Sequence, residues 1–253
     1  MPVELALTPD GSWDLDAIRV VDAARQAGFT AVGAFPTGAT PEVAAHYQAT
    51  GMRCHELIAL RFGDDPVDAL AQARDLAASA AILDIPWVLG VFLTPLAPAV
   101  RDVLPRVAAT LGEVGAGLAV EFVPMGPVAT IGDALEIVEL AGPPHAGVLV
   151  DTWHFFVGAS TWDDLEAMPL DRLAYVQFDD ALPPDPAHLM RATMRHRRLP
   201  GDGSFELERF ATTLLERSWD GTVSVEVLSD ELRSLPVTEF ACRAFEAAAA
   251  YWH

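Results

Sequence analysis

Short apolar runs alternate along the chain with segments whose apolar residues recur at helical spacing. Residues 14–28 illustrate the helical pattern, since Ile18, Val21 and Ala24 fall on one face and Gly28 follows as a terminator. The same unit, an apolar run and then a helical segment, recurs eight times. The apolar runs lie at 3–8, 31–35, 53–62, 87–93, 117–124, the start of 147–156, 173–180 and 222–229.

The apolar runs are continuous rather than alternating, which is typical of strands buried on both faces of a parallel sheet. Eight strand–helix units predict that this sheet closes into a single (β/α)8 TIM barrel. A doubly wound open sheet is the alternative, but no G-x-G-x-x-G motif follows the first strand. The 253 residues are 51% hydrophobic and contain no linker or low-complexity segment, so we predict one domain over 1–253.

The formal net charge is −20, and all 16 basic residues other than histidine are arginines. Clustered Lys and Arg side chains bind phosphate backbones and anionic membranes, and the only such cluster in the sequence is MRHRR at 194–198. We therefore expect neither a nucleic acid nor a membrane as a partner. The lack of lysine also excludes a Schiff-base aldolase and a P-loop, because both need a lysine amine.

Two cysteines, Cys54 and Cys242, lie far apart without metal-ligand spacing, which indicates reduced buried thiols. The start MPVELALTPDG does not resemble a secretory leader, and no apolar run reaches the ~18 residues of a membrane span. We expect a soluble cytoplasmic protein. The apolar C-terminal segment ending in AAAAYWH could pack on a second copy, so the sequence is compatible with a homo-oligomer.

Four consecutive predicted strands carry a polar residue near the carboxyl end, where TIM barrels place their active sites. These residues are Glu121, Asp151, Gln177 and Glu226, each with apolar flanks. A single one could be a strand-end salt bridge, but three neighbouring carboxylates require a cation or shared protons. The all-oxygen set predicts one divalent metal ion, with Mn²⁺ or Mg²⁺ favoured and Co²⁺ or Zn²⁺ as alternatives.

This series, with His154 three residues after Asp151, resembles the xylose isomerase-like TIM barrel superfamily over essentially the whole chain. The resemblance implies that Glu121, Asp151 and Glu226 ligate the metal, and that the two glutamates also act as acid and base. Gln177 stands where most members have a ligating histidine, although some, including dehydroshikimate dehydratases, use glutamine. For His154 the resemblance implies substrate contact or proton transfer, whereas the histidine alone would be read as a hydrogen-bonded core residue.

Residues 195–207, RHRRLPGDGSFEL, resemble the Arg-x-x-Pro-Gly-Asp/Glu-Gly loop of the same superfamily. Arg197 matches the motif arginine, and Arg198 is its neighbour. We expect an arginine here to bind substrate hydroxyls, a carboxylate or a phosphate, with a solvated basic cluster as the alternative. Trp153 is a candidate for stacking on a sugar face, with core packing as its alternative.

Five further polar residues are weaker candidates. His55, Glu56 and Arg61 lie on the third predicted strand, where a packing role is as plausible as a place in the pocket. Asp179 and Asp180 follow Gln177 and could support the metal ligands from behind or be merely solvated.

The resemblance implies an enzyme of carbohydrate metabolism that removes a proton next to a carbonyl while a divalent metal stabilises the enediolate. The first hypothesis is a sugar or sugar phosphate isomerase/epimerase acting on a small polyhydroxylated substrate. The alternative is a metal-dependent dehydratase, a hydro-lyase, acting on an inosose or 3-dehydroshikimate with His154 as the base. An endonuclease of the superfamily would need more histidine ligands and a basic surface. A non-enzymatic barrel would have no reason to keep four polar strand ends.

Overall fold

A computed structural model describes residues 3–252. Met1, Pro2 and His253, which belong to the predicted domain 1–253, lie outside the described residues. The strands are β1 (Glu4–Leu7), β2 (Ala31–Ala34), β3 (Arg53–Phe62), β4 (Trp87–Phe92), β5 (Gly117–Glu121), β6 (Ala146–Asp151), β7 (Leu173–Phe178) and β8 (Thr222–Val225). They pair in parallel in chain order and β8 pairs with β1, which closes the sheet and confirms the predicted (β/α)8 barrel.

Helices surround the barrel at most of the predicted positions. They are α1 (Ala17–Ala27), α2 (Pro41–Thr50), α3 (Pro66–Leu83), α4 (Pro98–Gly112), α5 (Ile131–Ala141), α6 (Thr152–Val157), α7 (Trp162–Ala167), α8 (Leu189–Arg195), α9 (Leu207–Glu216) and α10 (Val237–Ala249). Local sequence sets several of their ends. Thr161 and Asp164 form a capping box before α7, and Gly28 ends α1 in the left-handed region at φ 112°. None of the described helices is long and apolar enough to cross a bilayer.

The barrel interior is filled in layers by side chains that alternate along the strands. Leu89, Ala119, Leu149 and Tyr175 form a small apolar cluster inside the barrel, separate from the large core that the outward-facing strand residues share with the helices. Side chains two positions apart along a strand share a face, so the residues two positions after this layer also point into the barrel. The polar residues predicted for the site lie in the layers above it.

The structure departs from the sequence prediction around the last four strands, and β5 ends at Glu121 rather than at residue 124. β8 ends at Val225 rather than at residue 229, and β7 ends at Phe178 rather than at residue 180. α6 begins immediately after β6, where no helix was predicted, because Asp151 caps its first turn. The insertion between β7 and β8 contains α8. These differences decide which polar side chains reach the mouth of the barrel.

Candidate active site

The ends of the last four strands bring polar side chains to one mouth of the barrel. Glu121 and Asp151 are the final residues of β5 and β6, Gln177 is the penultimate residue of β7, and Glu226 directly follows β8. The strand register sets Asp151 beside Gln177. Each of the four lies two positions after an interior residue, so strand alternation directs it into the barrel. The structure thus brings the four sequence-predicted ligands to the same end of the barrel.

His154 joins them from the first turn of α6. Asp151 Oδ1 accepts the backbone N–H of His154 at 3.2 Å, which fixes that turn. The imidazole Nε2 then lies 3.3 Å from Glu121 Oε1 and 3.8 Å from Asp151 Oδ2. One ligand-type atom from each of these three residues lies within 4.8 Å of the other two. The sequence did not assign His154 as a ligand, and the short helix adds its nitrogen to the oxygen set.

Gln177 contributes a buried oxygen that lacks a donor. Its Nε2 donates to Glu56 Oε2 at 3.4 Å, whereas its Oε1 has no hydrogen-bond partner among the described residues. A buried carbonyl oxygen without a donor is costly, and a hard cation would satisfy it. We call Glu121, Asp151, His154, Gln177 and Glu226 the mouth cluster. Within it, the ligand-type atoms of Glu121, Asp151 and His154 lie close enough together to hold a divalent metal ion.

Arg197 is the positive charge at the mouth cluster. Its Nη1 lies 2.7 Å from Asp151 Oδ2, 2.8 Å from Asp179 Oδ2 and 3.1 Å from Glu226 Oε2. Its Nε and Nη2 donate to the backbone oxygen and the hydroxyl of Thr193, both at 2.9 Å. The side chain is 2% exposed. All three guanidinium nitrogens are therefore engaged within the protein, Nη1 by three carboxylates and the other two by Thr193.

Burial and one shared positive charge together shift the pKa values of these three carboxylates. Burial acts to raise the pKa of Asp151, but the charges of Arg197 and His154 outweigh it and lower that pKa. Burial raises the pKa of Asp179 and of Glu226 well above the usual range; Arg197 opposes the shift and Asp151 adds to it. Asp151 is thus the most firmly ionised of the three, and Glu226 holds a proton more readily than an exposed glutamate.

The other two candidates for substrate contact lie differently. Arg198, next to Arg197, points away from the mouth cluster: its side chain is exposed and its Nη1 donates to the backbone oxygen of Asp202 at 3.2 Å. Trp153 is fully buried, and the Arg197 guanidinium carbon lies 5.9 Å from the centre of its ring. The tryptophan thus packs beneath the arginine.

The Asp180 carboxylate fixes the backbone of the Pro-Gly-Asp-Gly stretch in the loop after α8. Its carboxylate accepts the backbone N–H groups of Ala181, Gly201, Gly203 and Phe205 at 2.8 to 3.1 Å. A Cβ at Gly203 would lie 2.1 Å from Asp180 Oδ1, so only glycine fits that approach. Backbone hydrogen bonds also pair Asp180 with Arg198. The loop is thereby fixed to the end of β7, with Arg197 turned inward.

A polar layer lies one step deeper in the barrel than the mouth cluster. Glu56 of β3 is fully buried and accepts from Thr8 Oγ1 at 2.5 Å, from Tyr175 OH at 2.5 Å and from Gln177 Nε2 at 3.4 Å. Burial raises the pKa of Glu56 to about 7, partly offset by the hydrogen bonds from Thr8 and Tyr175. This carboxylate joins the barrel interior directly to a proposed metal ligand.

Ser224 extends the polar layer to His55. Ser224 Oγ lies 2.6 Å from Thr8 Oγ1 and 2.9 Å from His55 Nε2. Burial lowers the pKa of His55 to about 3, so the imidazole is neutral. The sequence left His55 and Glu56 open between packing and the pocket, and it did not single out Thr8, Tyr175 or Ser224. The available signal for Glu56 was a charged residue inside an apolar run, the same signal that identified Glu121.

Comparison with known proteins identifies a matching family and several similar proteins. Residues 21–248 match the family described as xylose isomerase-like TIM barrel. An inosose isomerase from Halalkalibacterium halodurans is 29% identical over 182 residues, which cover 68% of this chain and 64% of that protein. A 3-dehydroshikimate dehydratase from Pseudomonas putida is 25% identical over 103 residues, which cover 41% of this chain and 16% of that protein. The matches thus span less than two thirds of these relatives.

A solved structure shares the whole architecture. The IOLI protein, crystallised with a bound zinc atom, superposes with a TM-score of 0.84 over 98% of both chains. Its sequence is 18% identical to this chain, so the likeness concerns the fold.

Proposed function

The chain belongs to the xylose isomerase-like TIM barrel family, and from that premise we propose that it is a divalent-metal-dependent isomerase or epimerase of a sugar or sugar phosphate. The observation that carries the proposal is the difference in exposure within the mouth cluster. The side chains of Glu121 and Glu226 are 12% and 13% exposed, whereas that of Asp151 is fully buried. The carboxylates of Glu121 and Glu226 thus reach the open mouth of the barrel, while the carboxylate of Asp151 faces only the interior.

Glu121 and Glu226 approach the mouth from β5 and β8, with β6 and β7 between them. A small substrate in the mouth would therefore have one glutamate on each side. We assign the removal of the carbon-bound proton to one of them and its return to the other.

The mouth cluster would hold the metal through Glu121, Asp151, Gln177 and Glu226, with His154 close enough to ligate or to contact substrate. When bound, a divalent ion would polarise the substrate carbonyl and neutralise the charge that develops on its oxygen. Mn²⁺ and Mg²⁺ suit the oxygen donors, and the imidazole of His154 also admits Co²⁺ or Zn²⁺. Arg197 would hold the carboxylates in place, since its Nη1 lies within 3.1 Å of Asp151, Asp179 and Glu226.

A dehydratase is the second candidate, and Gln177 is the observation that favours it. The sequence resemblance associates glutamine at this position with dehydroshikimate dehydratases, and one such enzyme is among the similar proteins. In that reaction His154 would remove the proton, because its Nε2 lies at the mouth cluster and its Nδ1 has no hydrogen-bond partner among the described residues. An inosose or 3-dehydroshikimate would be the substrate.

A proton-exchange assay in D₂O tests the proposal and separates the two reactions. The protein with Mn²⁺ is incubated with ketoses, ketose phosphates, inososes and 3-dehydroshikimate. An isomerase or epimerase incorporates deuterium next to the carbonyl of one of these, whereas a dehydratase produces a conjugated absorbance.

A matched pair of variants ties the exchange to the site. Glu226→Gln is expected to reduce exchange by at least about a hundredfold, because it removes both an acid/base group and a proposed ligand. Glu231→Gln, an exposed glutamate shortly after β8, should leave exchange unchanged. A wild-type protein that binds no divalent ion, or a fully active Glu226→Gln variant, would overturn the proposal.

A further inference from the structure

We propose that Glu56 is a positioning residue that fixes the side-chain amide of Gln177, so that the amide turns its carbonyl oxygen to the mouth cluster. The inference rests on the proposed metal-dependent function, because it assigns the group that prepares one of the ligands. Glu56 itself does not touch the proposed metal. It acts from the layer below, through the single contact between its Oε2 and Gln177 Nε2 at 3.4 Å.

The hydrogen bonds of Glu56 all run in one direction. Thr8 Oγ1 donates to Oε1, and Tyr175 OH and Gln177 Nε2 donate to Oε2. Both oxygens of Glu56 thus serve as acceptors, and each of the three partners presents a donor to them. Glu56 thus accepts from the NH₂ end of the Gln177 amide and leaves the oxygen end of that amide free.

The two orientations of the Gln177 amide are therefore not equivalent. In the observed orientation Nε2 is bonded to Glu56, and Oε1 is buried without a hydrogen-bond partner among the described residues. A flip would set the carbonyl oxygen against the Glu56 carboxylate and turn two N–H donors to the mouth, where they cannot ligate a cation. A histidine would bring its own ring nitrogen to this position. A glutamine needs a neighbour that selects its oxygen, since a ligand's partner fixes its orientation.

The barrel makes room for this carboxylate. Gly33 of β2 faces it, and a Cβ at Gly33 would lie 2.7 Å from Glu56 Oε1 and 2.9 Å from its Cγ. Any larger residue would displace Glu56 from Gln177. Glu56 itself has no exposed surface. A fully buried carboxyl group with three donors and a glycine beside it is a costly arrangement that packing alone would not require.

The test is a double-mutant cycle read out as Mn²⁺ affinity without substrate. Glu56→Met keeps an unbranched side chain of similar length but removes the acceptor. Gln177→Met removes the ligand that Glu56 is proposed to orient. Each single variant is expected to weaken Mn²⁺ binding by about 10-fold or more, the usual cost of losing such a supporting contact. The double variant should bind no more weakly than Gln177→Met alone, because Glu56 acts only through that side chain.

Two more variants separate orientation from charge and from folding. Glu56→Gln also removes the charge but keeps a carbonyl acceptor for Gln177, so it should recover most of the affinity lost in Glu56→Met. Tyr175→Phe removes a different donor to the same Oε2 and should bind Mn²⁺ within about twofold of wild type. If Glu56→Met does not fold, Gly33→Ala replaces it in the cycle, since the added Cβ pushes the carboxylate aside.

The outcomes distinguish this inference from the proposed function. A wild type without Mn²⁺ affinity would overturn both. Mn²⁺ binding by wild type with an unchanged Glu56→Met, or losses that multiply in the double variant, would overturn the role of Glu56 alone. Equal weakening by Glu56→Gln and Glu56→Met would also overturn it, because charge rather than orientation would then be responsible.

Discussion

Arg197 donates from Nη1 to Asp151 Oδ2 across 2.7 Å, and so joins the loop that follows α8 to the end of β6. The same nitrogen reaches Asp179 and Glu226. Asp151 also caps α6 and thereby places His154. One arginine from the insertion between β7 and β8 therefore holds together carboxylates from three different strand ends, and removal of its charge should be felt throughout the mouth of the barrel.

Arg197→Met is expected to lower the free energy of unfolding of the metal-free protein by about 3–5 kcal/mol, because it leaves buried carboxylates without their counter-charge. Urea denaturation measures the change. Arg198→Met is the matched control: it removes the adjacent but exposed arginine and should cost no more than about 0.5 kcal/mol. Equal losses in the two variants would contradict the central position assigned to Arg197.

Gly203→Ala should destabilise the protein by about 1–3 kcal/mol, since the new Cβ would meet Asp180 Oδ1 at 2.1 Å and the Ala181 oxygen at 2.5 Å. Thermal unfolding reports the change. Gly132→Ala is the control, because the nearest atom to its new Cβ is Thr130 Oγ1 at 3.6 Å and alanine favours a helix such as α5. A tolerated Gly203→Ala would show that the loop can leave Asp180 at little cost.

The two cysteines should differ in reactivity. Cys54 is 4% exposed, and burial raises the pKa of its thiol to about 12. Cys242 on α10 is only partly buried. Since the thiolate is the reactive form, a disulfide reagent at pH 8 should titrate Cys242 in the native protein and both thiols after denaturation. Equal native rates for the two thiols, or a native reaction that persists in Cys242→Ser, would contradict this prediction.

His55 should make the fold sensitive to acid. Its pKa falls from 6.5 to about 3 on folding, chiefly through burial, so the native state binds fewer protons than the unfolded state. The contribution of neutral His55 to the free energy of unfolding is fully present above pH 6.5. It is lost as the pH falls towards 3, by up to about 5 kcal/mol. His55→Gln does not titrate, so its free energy of unfolding should depend less steeply on pH across that window.

Wild type must be compared with His55→Gln because Glu56 changes the free energy of unfolding with pH in the opposite direction. Its pKa is raised by burial from 4.5 to about 7, so its contribution declines as the pH rises between those values. Both proteins keep Glu56, and the difference between their curves reports His55. Parallel curves would show that His55 is accessible to protons in the native state.

The pattern of the strands made the barrel and the four polar strand ends predictable. Continuous apolar runs followed by helical segments require a parallel sheet with both faces covered, and eight of them close it. A carboxylate near the end of such a run then stands out in sequence, as Glu121 and Asp151 do. Strand ends were less predictable, because β8 stops at Val225 where the run of apolar residues continues.

The sequence by itself determined which residues point inward at the mouth, because strand periodicity is a local property of the backbone. Only the tertiary structure decided what those residues touch. Arg197 meets Asp151 from 46 positions away, and Glu56 meets Gln177 from 121 positions away. Such contacts depend on how far a side chain reaches across a closed barrel, and no periodicity along one strand encodes that distance. For the same reason the sequence could not separate a packing role of Glu56 from a role in the site, whereas the closed barrel sets Gln177 beside it.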